Sequence, residues 1–209
     1  IDYRKLNEVT RKDAYPLLRI DDCLDTLSGA RWFTTLDLAS GYWQVEVAPE
    51  DREKTAFVTE RGLYEFTVMP FGLANAPATF ERLMEQVLRG IPPSKCLVYL
   101  DDIVVHGRTF QETLDNFRLV LTRLRKAGLR LKPKKCQLFR REVEFLGHVV
   151  SEQGLTTDPK KIESVKNWPV PQNLTKVRGF LGLCSYYRPF IDHFSEIALP
   201  LTALTKKSV

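Results

Sequence analysis

"VYLDDIVVHG", residues 98–107, sets two adjacent carboxylates, Asp101 and Asp102, inside a β-branched, apolar run that otherwise reads as buried strand. Two unit negative charges about 4 Å apart repel by roughly 4 kcal/mol at the effective dielectric usual near a protein surface. Something must offset that repulsion. A hairpin with the Asp-Asp pair at its tip would expose both carboxylates at one end, with Val98, Leu100, Ile103 and Val105 packing below. Asp-Asp is a poor two-residue turn, because the favoured types take Asn-Gly or Asp-Gly with positive φ. The stretch by itself therefore supports two readings, an ordinary acidic turn or a site for a divalent metal.

The surrounding chain is of ordinary globular composition. Its 209 residues are 44% apolar and 27% charged, enough for one sizeable domain or one with a small appendage. It opens on Ile1 in mid-pattern, which predicts a piece of a longer polypeptide. No apolar stretch approaches the roughly 18 residues that cross a bilayer, and no signal-peptide pattern opens the chain, so the expectation is a soluble intracellular protein with no membrane partner. Cys23, Cys96, Cys136 and Cys184 have no metal-binding or disulfide spacing and are expected to be reduced thiols. The net charge of +5 is unevenly spread: ten Lys or Arg and no acid lie between Arg118 and Arg141. Such a block is a solvated face or the footprint of a phosphate-backbone partner.

Working outward, residues 19–29 predict a short helix closed by Gly29, and the run from Arg31 begins as a strand that leaves Asp37 at its far end before a Ser-Gly break. A hairpin is expected over 55–68, turning near Arg61-Gly62. A helix should then run to about Arg89, with Asn75 as cap, Pro77 in the first turn and Phe80, Leu83, Met84, Val87 and Leu88 as its apolar stripe. Residues 109–127 predict another helix, acidic early and basic late, as the helix dipole favours. From Asp158-Pro159 the pattern becomes helical: 159–167, then 174–187 capped by Asn173, then 190–204 interrupted by Pro200. The predicted picture is an α+β body to about residue 156 and a small helical module over 157–209.

Asp37 and the Asp101-Asp102 pair stand sixty-four residues apart, each at a strand end. If those strands are antiparallel neighbours, three carboxylates share one sheet edge. Oxygen-only ligands suit magnesium, and a pair of such ions about 3.5–4 Å apart suits in-line phosphoryl displacement. Nothing supplies the His-rich shell of zinc or iron.

The motifs around these acids carry a resemblance. "YRKLN" (3–7), "LDLASGYWQ" (36–44), "MPFGLANAPATF" (69–80), "YLDD" (99–102), "LKPKKC" (131–136), "FLGH" (145–148) and "FLGLCSYYRPFI" (180–191) stand in the order and spacing of reverse transcriptases. Over essentially its whole length the chain resembles the polymerase of gypsy-type long-terminal-repeat retrotransposons, part of a Pol polyprotein.

The resemblance implies a right-hand polymerase: a palm with an antiparallel sheet over 1–156, interleaved with partial fingers at about 1–11 and 45–75, followed by a helical thumb over 157–209. It implies an RNA-directed DNA polymerase that extends a primer on an RNA or DNA template with deoxynucleoside triphosphates. Two magnesium ions, with manganese as substitute, would be held by Asp37, Asp101 and Asp102. The backbone at Leu38 and Ala39 would lie against the triphosphate. Tyr42 would be the steric gate against ribonucleotides, with Gln44 sharing its motif, and Phe71 and Gly72 would contact nucleotide and template. Lys135 would protonate the pyrophosphate leaving group, with Lys132 and Lys134 as neighbouring candidates. Phe145, Leu146, Gly147 and His148 would form the hairpin that grips the primer. Lys160, Lys161, Lys166, Lys176 and Arg178 would meet the duplex phosphates, while Leu174, Phe180, Leu181, Leu183, Tyr186 and Tyr187 form the thumb's own core. Ribonuclease H and integrase would belong to the parent, which would act in the cytoplasm within a virus-like particle. Leu18 stands where relatives often have proline. A copy that binds nucleic acid without turnover, or a two-metal nuclease using the same acids, are the rival readings.

Overall fold

A computed structural model of the chain describes residues 1–16, 19–157 and 159–206, so Leu18 and Asp158 fall outside it, as do the side chains of Lys160 and Lys161. The central element is a four-stranded antiparallel sheet of β1 (Trp32–Asp37), β4 (Cys96–Tyr99), β5 (Asp102–Gly107) and β6 (Gln137–Arg140), in the order β4-β5-β1-β6. Its strands are β-branched and aromatic because both faces are covered. On one face Leu36, Ile103 and Val105 pack with Phe80 and Met84 of α3 (Ala76–Val87) and with Val120 and Leu124 of α4 (Phe110–Lys126). On the other, Phe33, Leu97 and Val104 pack with Cys23, Leu24 and Leu27 of and beside α2 (Ile20–Thr26) and with Val143, Phe145 and Val150. Alternation along a strand thus feeds two cores at once.

Those last residues belong to a separate three-stranded sheet of β7 (Glu142–Phe145), β8 (His148–Ser151) and β9 (Gly154–Thr157). Leu146 and Gly147 both have positive φ, 51° and 79°, between paired Phe145 and His148, as a tight two-residue hairpin demands. A small hairpin, β2 (Phe57–Thr59) and β3 (Gly62–Tyr64), turns at Glu60-Arg61. The joint of β1 with β6 carries a register irregularity, where the Phe139 N–H donates to the Thr34 hydroxyl instead of the ladder.

The helix signals mostly match their ends. The Thr109 hydroxyl accepts from the Glu112 N–H at the start of α4, and the Asn173 side chain accepts from the Lys176 N–H at the start of α6 (Leu174–Tyr186). Asn75 does not cap α3; its amide is spent on Arg11 and Asp13, sixty-odd residues away. Pro200 does not break the last helix but lies inside α7 (Phe194–Ala203). A helix that sequence periodicity did not reveal, α1 (Arg4–Val9), lies near the start of the chain.

With α5 (Pro159–Lys166), helices α6 and α7 form the C-terminal module. Val177, Tyr187 and Ala198 are buried there, but Leu174 and Tyr186 are exposed, contrary to their expected place in its core. So few helices cannot enclose every apolar side chain. Tyr186 faces the body instead: its hydroxyl donates to the Leu146 carbonyl at 3.4 Å, and its ring stacks on His148 at 5.8 Å.

All four cysteines are free, and burial pushes the Cys96 thiol up to about 12. Among the described residues no helix is long and apolar enough to cross a membrane.

Candidate active site

The β1–β5 register sets Asp37 directly opposite Asp102, because Leu36 must face Ile103 to fill the core beneath them. Tyr99 also pairs with Asp102, so the hairpin tip is Leu100-Asp101 rather than the Asp-Asp pair. Positive φ falls on Leu100, at 55°, a conformation that an L-residue with a large side chain avoids. The turn is held by Glu81 of α3, whose Oε2 accepts from the Leu100 N–H at 2.9 Å. Sequence reading missed Glu81. Its spacing to Met84 and Leu88, both buried, was the available signal, since i, i+3 and i+7 share one helix face.

Asp101 points inward under its turn. Its Oδ1 is buried with no hydrogen-bond partner. Burial, and then the charges of Asp102 and Asp37, raise its carboxyl above the ordinary 3.8. Asp102 is exposed overall, yet desolvation on its inner side and the Asp37 charge raise it too, with Lys135 acting the other way. Burial is also the main cause that raises Glu81, with Asp101 adding to it and the Leu100 N–H opposing.

Of the three candidate lysines, the fold brings Lys135 to the carboxylates: its Nζ lies 3.2 Å from Asp37 Oδ2. A short 3-10 turn, Pro133–Lys135, places it, anchored where the Lys132 N–H donates to the Asp37 carbonyl at 2.8 Å. Leu38 bridges to Leu131, and the Ala39 N–H donates to the Arg130 carbonyl. The Gln44 amide closes this strap, donating to the Ala39 and Arg130 carbonyls and accepting from the Arg130 N–H at 2.7 Å. That is a definite role for Gln44 that its motif alone did not reveal.

Tyr42 sits in the 3-10 turn Gly41–Gln44, its ring 5.2 Å from Phe71 and 5.5 Å from Phe80. Burial raises its phenol, and the charges of Asp101 and Glu81 raise it further, so it borders the triad. Phe71 is half exposed, and Gly72 takes φ +95°. The Asn7 side chain clamps this loop, donating to the Gly72 carbonyl and accepting from the Ala74 N–H, both at 2.8 Å.

Gly41 is required by space. A Cβ there would stand 2.9 Å from the Phe80 ring and 3.2 Å from Asp101 Oδ1. Phe80 is fully buried and cannot yield cheaply. Gly41→Ala is expected to cost about 1–3 kcal/mol of stability, the usual effect of overpacking, and to displace Asp101; denaturant unfolding and divalent-ion titration measure the two effects.

The fit to magnesium follows from the donors. An orphaned buried carboxylate oxygen beside two further carboxylates is a site short of positive charge. Among the described residues, though, no three His, Cys, Asp or Glu side chains converge closely enough to hold a metal ion alone. The expected convergence is thus looser than a cage: the acids share an edge, with an ammonium on one of them. Magnesium takes one or two carboxylates and completes its shell with water and phosphate, so the donor set fits.

The raised carboxyls also predict a pH effect. In the folded, metal-free chain Asp101 and Asp102 hold protons at pH values where the unfolded chain has lost them, so their ionisation costs stability at neutral pH. That deficit lifts as pH falls through the raised values toward 3.8. The thermal midpoint of Asp101→Asn is expected to exceed the parent's at pH 7, with the gap narrowing on acidification.

The hairpin Phe145–His148 lies on another sheet. Phe145 and His148 are buried at 3% and 5% exposure, whereas Leu146 and Gly147 at the tip are partly exposed. A cavity of about 660 Å³ lined by Leu6, Val47, Met69 and Leu73 among others includes none of Asp37, Asp101 and Asp102.

The family described as "Reverse transcriptase (RNA-dependent DNA polymerase)" matches residues 1–150. The chain belongs to the reverse transcriptase family. It is 45% identical over 207 residues to the Retrovirus-related Pol polyprotein from transposon 297 of Drosophila melanogaster, and 44% over 206 residues to that from transposon gypsy of the same fly. Each alignment covers 99% of this chain and 20% of the relative, so the chain spans about a fifth of these polyproteins. The Tf2-3 polyprotein of Schizosaccharomyces pombe is 36% identical, over all of this chain and 16% of that protein. Among solved structures, foamy viral protease-reverse transcriptase dRH in complex with double-stranded DNA superposes with a TM-score of 0.90 at 30% identity, covering all of this chain and 36% of that one. The foamy viral protease-reverse transcriptase in complex with an RNA/DNA hybrid gives 0.82, also at 30% identity, over all of this chain and 28% of that one. The α+β architecture is accordingly that of a reverse transcriptase.

Proposed function

We propose that this chain is the polymerase core of a gypsy-type retrotransposon Pol polyprotein, an RNA-directed DNA polymerase that extends a primer 3′-hydroxyl with deoxynucleotides. The observation that carries this reading is the register of β1 on β5, which sets Asp37 against Asp102 with the orphaned Asp101 in the adjoining turn. Asp37, Asp101 and Asp102 would hold two magnesium ions, with manganese as substitute, whose charge would neutralise the phosphates and lower the pKa of the attacking hydroxyl. The repulsion posed by the Asp-Asp pair is thereby answered by ligand charge.

The chain's own groups do the rest. The Leu38–Ala39 strap, fixed by Gln44, would lie against the triphosphate. Tyr42, wedged between Phe71 and Phe80, excludes a 2′-hydroxyl. Lys135 leaves Asp37 to meet the departing pyrophosphate and donates its proton there. Residues 1–156 act as palm with partial fingers at about 1–11 and 45–75, and 157–209 as thumb. The Leu146-Gly147 tip, held by Tyr186, meets the primer. The exposed Lys166, Lys176 and Arg178 and the basic run from Arg118 to Arg141 supply salt-dependent, sequence-independent affinity for template and primer. The same polyprotein would contribute ribonuclease H and integrase in a cytoplasmic virus-like particle.

The test is primer extension on an RNA template with magnesium and deoxynucleotides, using this chain beside a longer Pol polypeptide that contains it. Metal-dependent elongation by either supports the reading. Template-primer binding without elongation by both points to a binding module, and shortening of a labelled strand without added nucleotides points to a nuclease.

A further inference from the structure

Glu81 is a buried acid, 9% exposed, on a helix whose other inward residues are apolar. An ionisable side chain at such a place is costly to keep unless it does something there. Its Oε2 accepts a hydrogen bond from the backbone N–H of Leu100, the residue held in positive φ. The two ends of this bond lie nineteen residues apart, so it ties α3 to the β4–β5 turn across the core. Asp101 is the next residue, and its Oδ1 has no hydrogen bond to aim it. From the other side it is bounded by Gly41, which comes within 3.2 Å of that oxygen when given a Cβ.

We infer that Glu81 is a positioning residue for divalent-metal binding: its carboxylate pins the left-handed Leu100 backbone and thereby aims Asp101. The inference rests on the polymerase reading of the triad and adds a residue that touches neither metal nor substrate. Leucine would leave the left-handed region if untethered, and any rotation of that peptide swings Asp101 away from the Asp37–Asp102 pair. What the turn needs from position 81 is an acceptor oxygen at the right reach, not a charge. A glutamine carries that oxygen at the same distance from the backbone. An aspartate carries the charge but is one methylene short.

Titration with manganese, followed by loss of the free-ion spectrum in electron paramagnetic resonance, reads this directly and needs no turnover. Glu81→Gln is expected to bind manganese within about twofold of the parent, while Glu81→Asp and Glu81→Leu weaken it about tenfold, or about 1.4 kcal/mol. Adding Leu100→Gly to Glu81→Leu should recover most of that loss, because glycine enters positive φ without a tether. Thermal midpoints identify any variant that fails to fold. If Glu81→Leu fails, the comparison of Gln with Asp still decides.

Three results would overturn the inference: all variants binding as the parent does, Gln as weak as Asp and Leu, or Asp binding normally while Gln does not. Asp101→Asn separates this from the broader reading. If that change leaves manganese binding intact, the triad assignment itself fails; if it weakens binding while the Glu81 variants show no Gln-over-Asp order, only the role of Glu81 fails.

Discussion

Asp101→Asn is expected to lower primer extension at least about a thousandfold and to leave template-primer affinity within about twofold. A bound metal supplies several kcal/mol of charge stabilisation in the transition state, and a thousandfold corresponds to about 4 kcal/mol. Asparagine is nearly isosteric, so the turn tethered by Glu81 and the Phe80–Gly41 contact beneath it persist. In the proposed reading duplex affinity comes from basic residues elsewhere on the chain and should not follow the loss. The same change removes one of three clustered negative charges, and with it the burial cost that raises Asp101. The metal-free variant should therefore melt higher than the parent at pH 7. Steady-state extension, filter binding and calorimetry measure the three effects. Equal loss of binding and extension would mean that Asp101 supports the fold of the nucleic-acid surface rather than the chemistry.

Tyr42→Ala is expected to reduce the preference for deoxynucleotides over ribonucleotides about a hundredfold, roughly 2.7 kcal/mol, measured as the ratio of kcat/KM values. The Tyr42 ring cannot swing aside easily, since Phe71 and Phe80 hold it from two directions. Truncation opens that space. Tyr42→Phe keeps the ring and should keep the preference, which assigns discrimination to bulk rather than to the hydroxyl. An unchanged ratio in Tyr42→Ala would take Tyr42 out of the sugar's path.

Much of this site was legible from residue order. Alternation from Trp32 placed Asp37 at a strand end, and the structure ends β1 there. The basic finish of α4 and its Thr109 cap are local chemistry, as is the Asn173 cap of α6. The resemblance favours Lys135 but local pattern does not separate it from Lys132 and Lys134, because all three lie in one basic loop and only the 3-10 turn points one of them at Asp37. A local rule makes Asn75 a cap, but long-range partners, Arg11 and Asp13, take its amide. Sequence pattern places Tyr186 in the core of its own helical module, yet it bonds to the hairpin forty residues back.

The sequence by itself determined the chemistry on offer: three carboxylates at strand ends, a tyrosine and glycine after the first of them, a basic block, and helices whose caps and dipoles agree. These depend on neighbours a few residues away, where periodicity and capping act. Tertiary structure alone decided how the acids meet. The pairing of β1 with β5 sets Asp37 against Asp102, and packing of α3 brings Glu81 to the Leu100 backbone. The amides of Asn7 and Gln44 bind loops sixty-five and eighty-six residues distant. No local rule encodes such contacts, because a hydrogen bond between distant segments forms only after the hydrophobic core has set the distance between them.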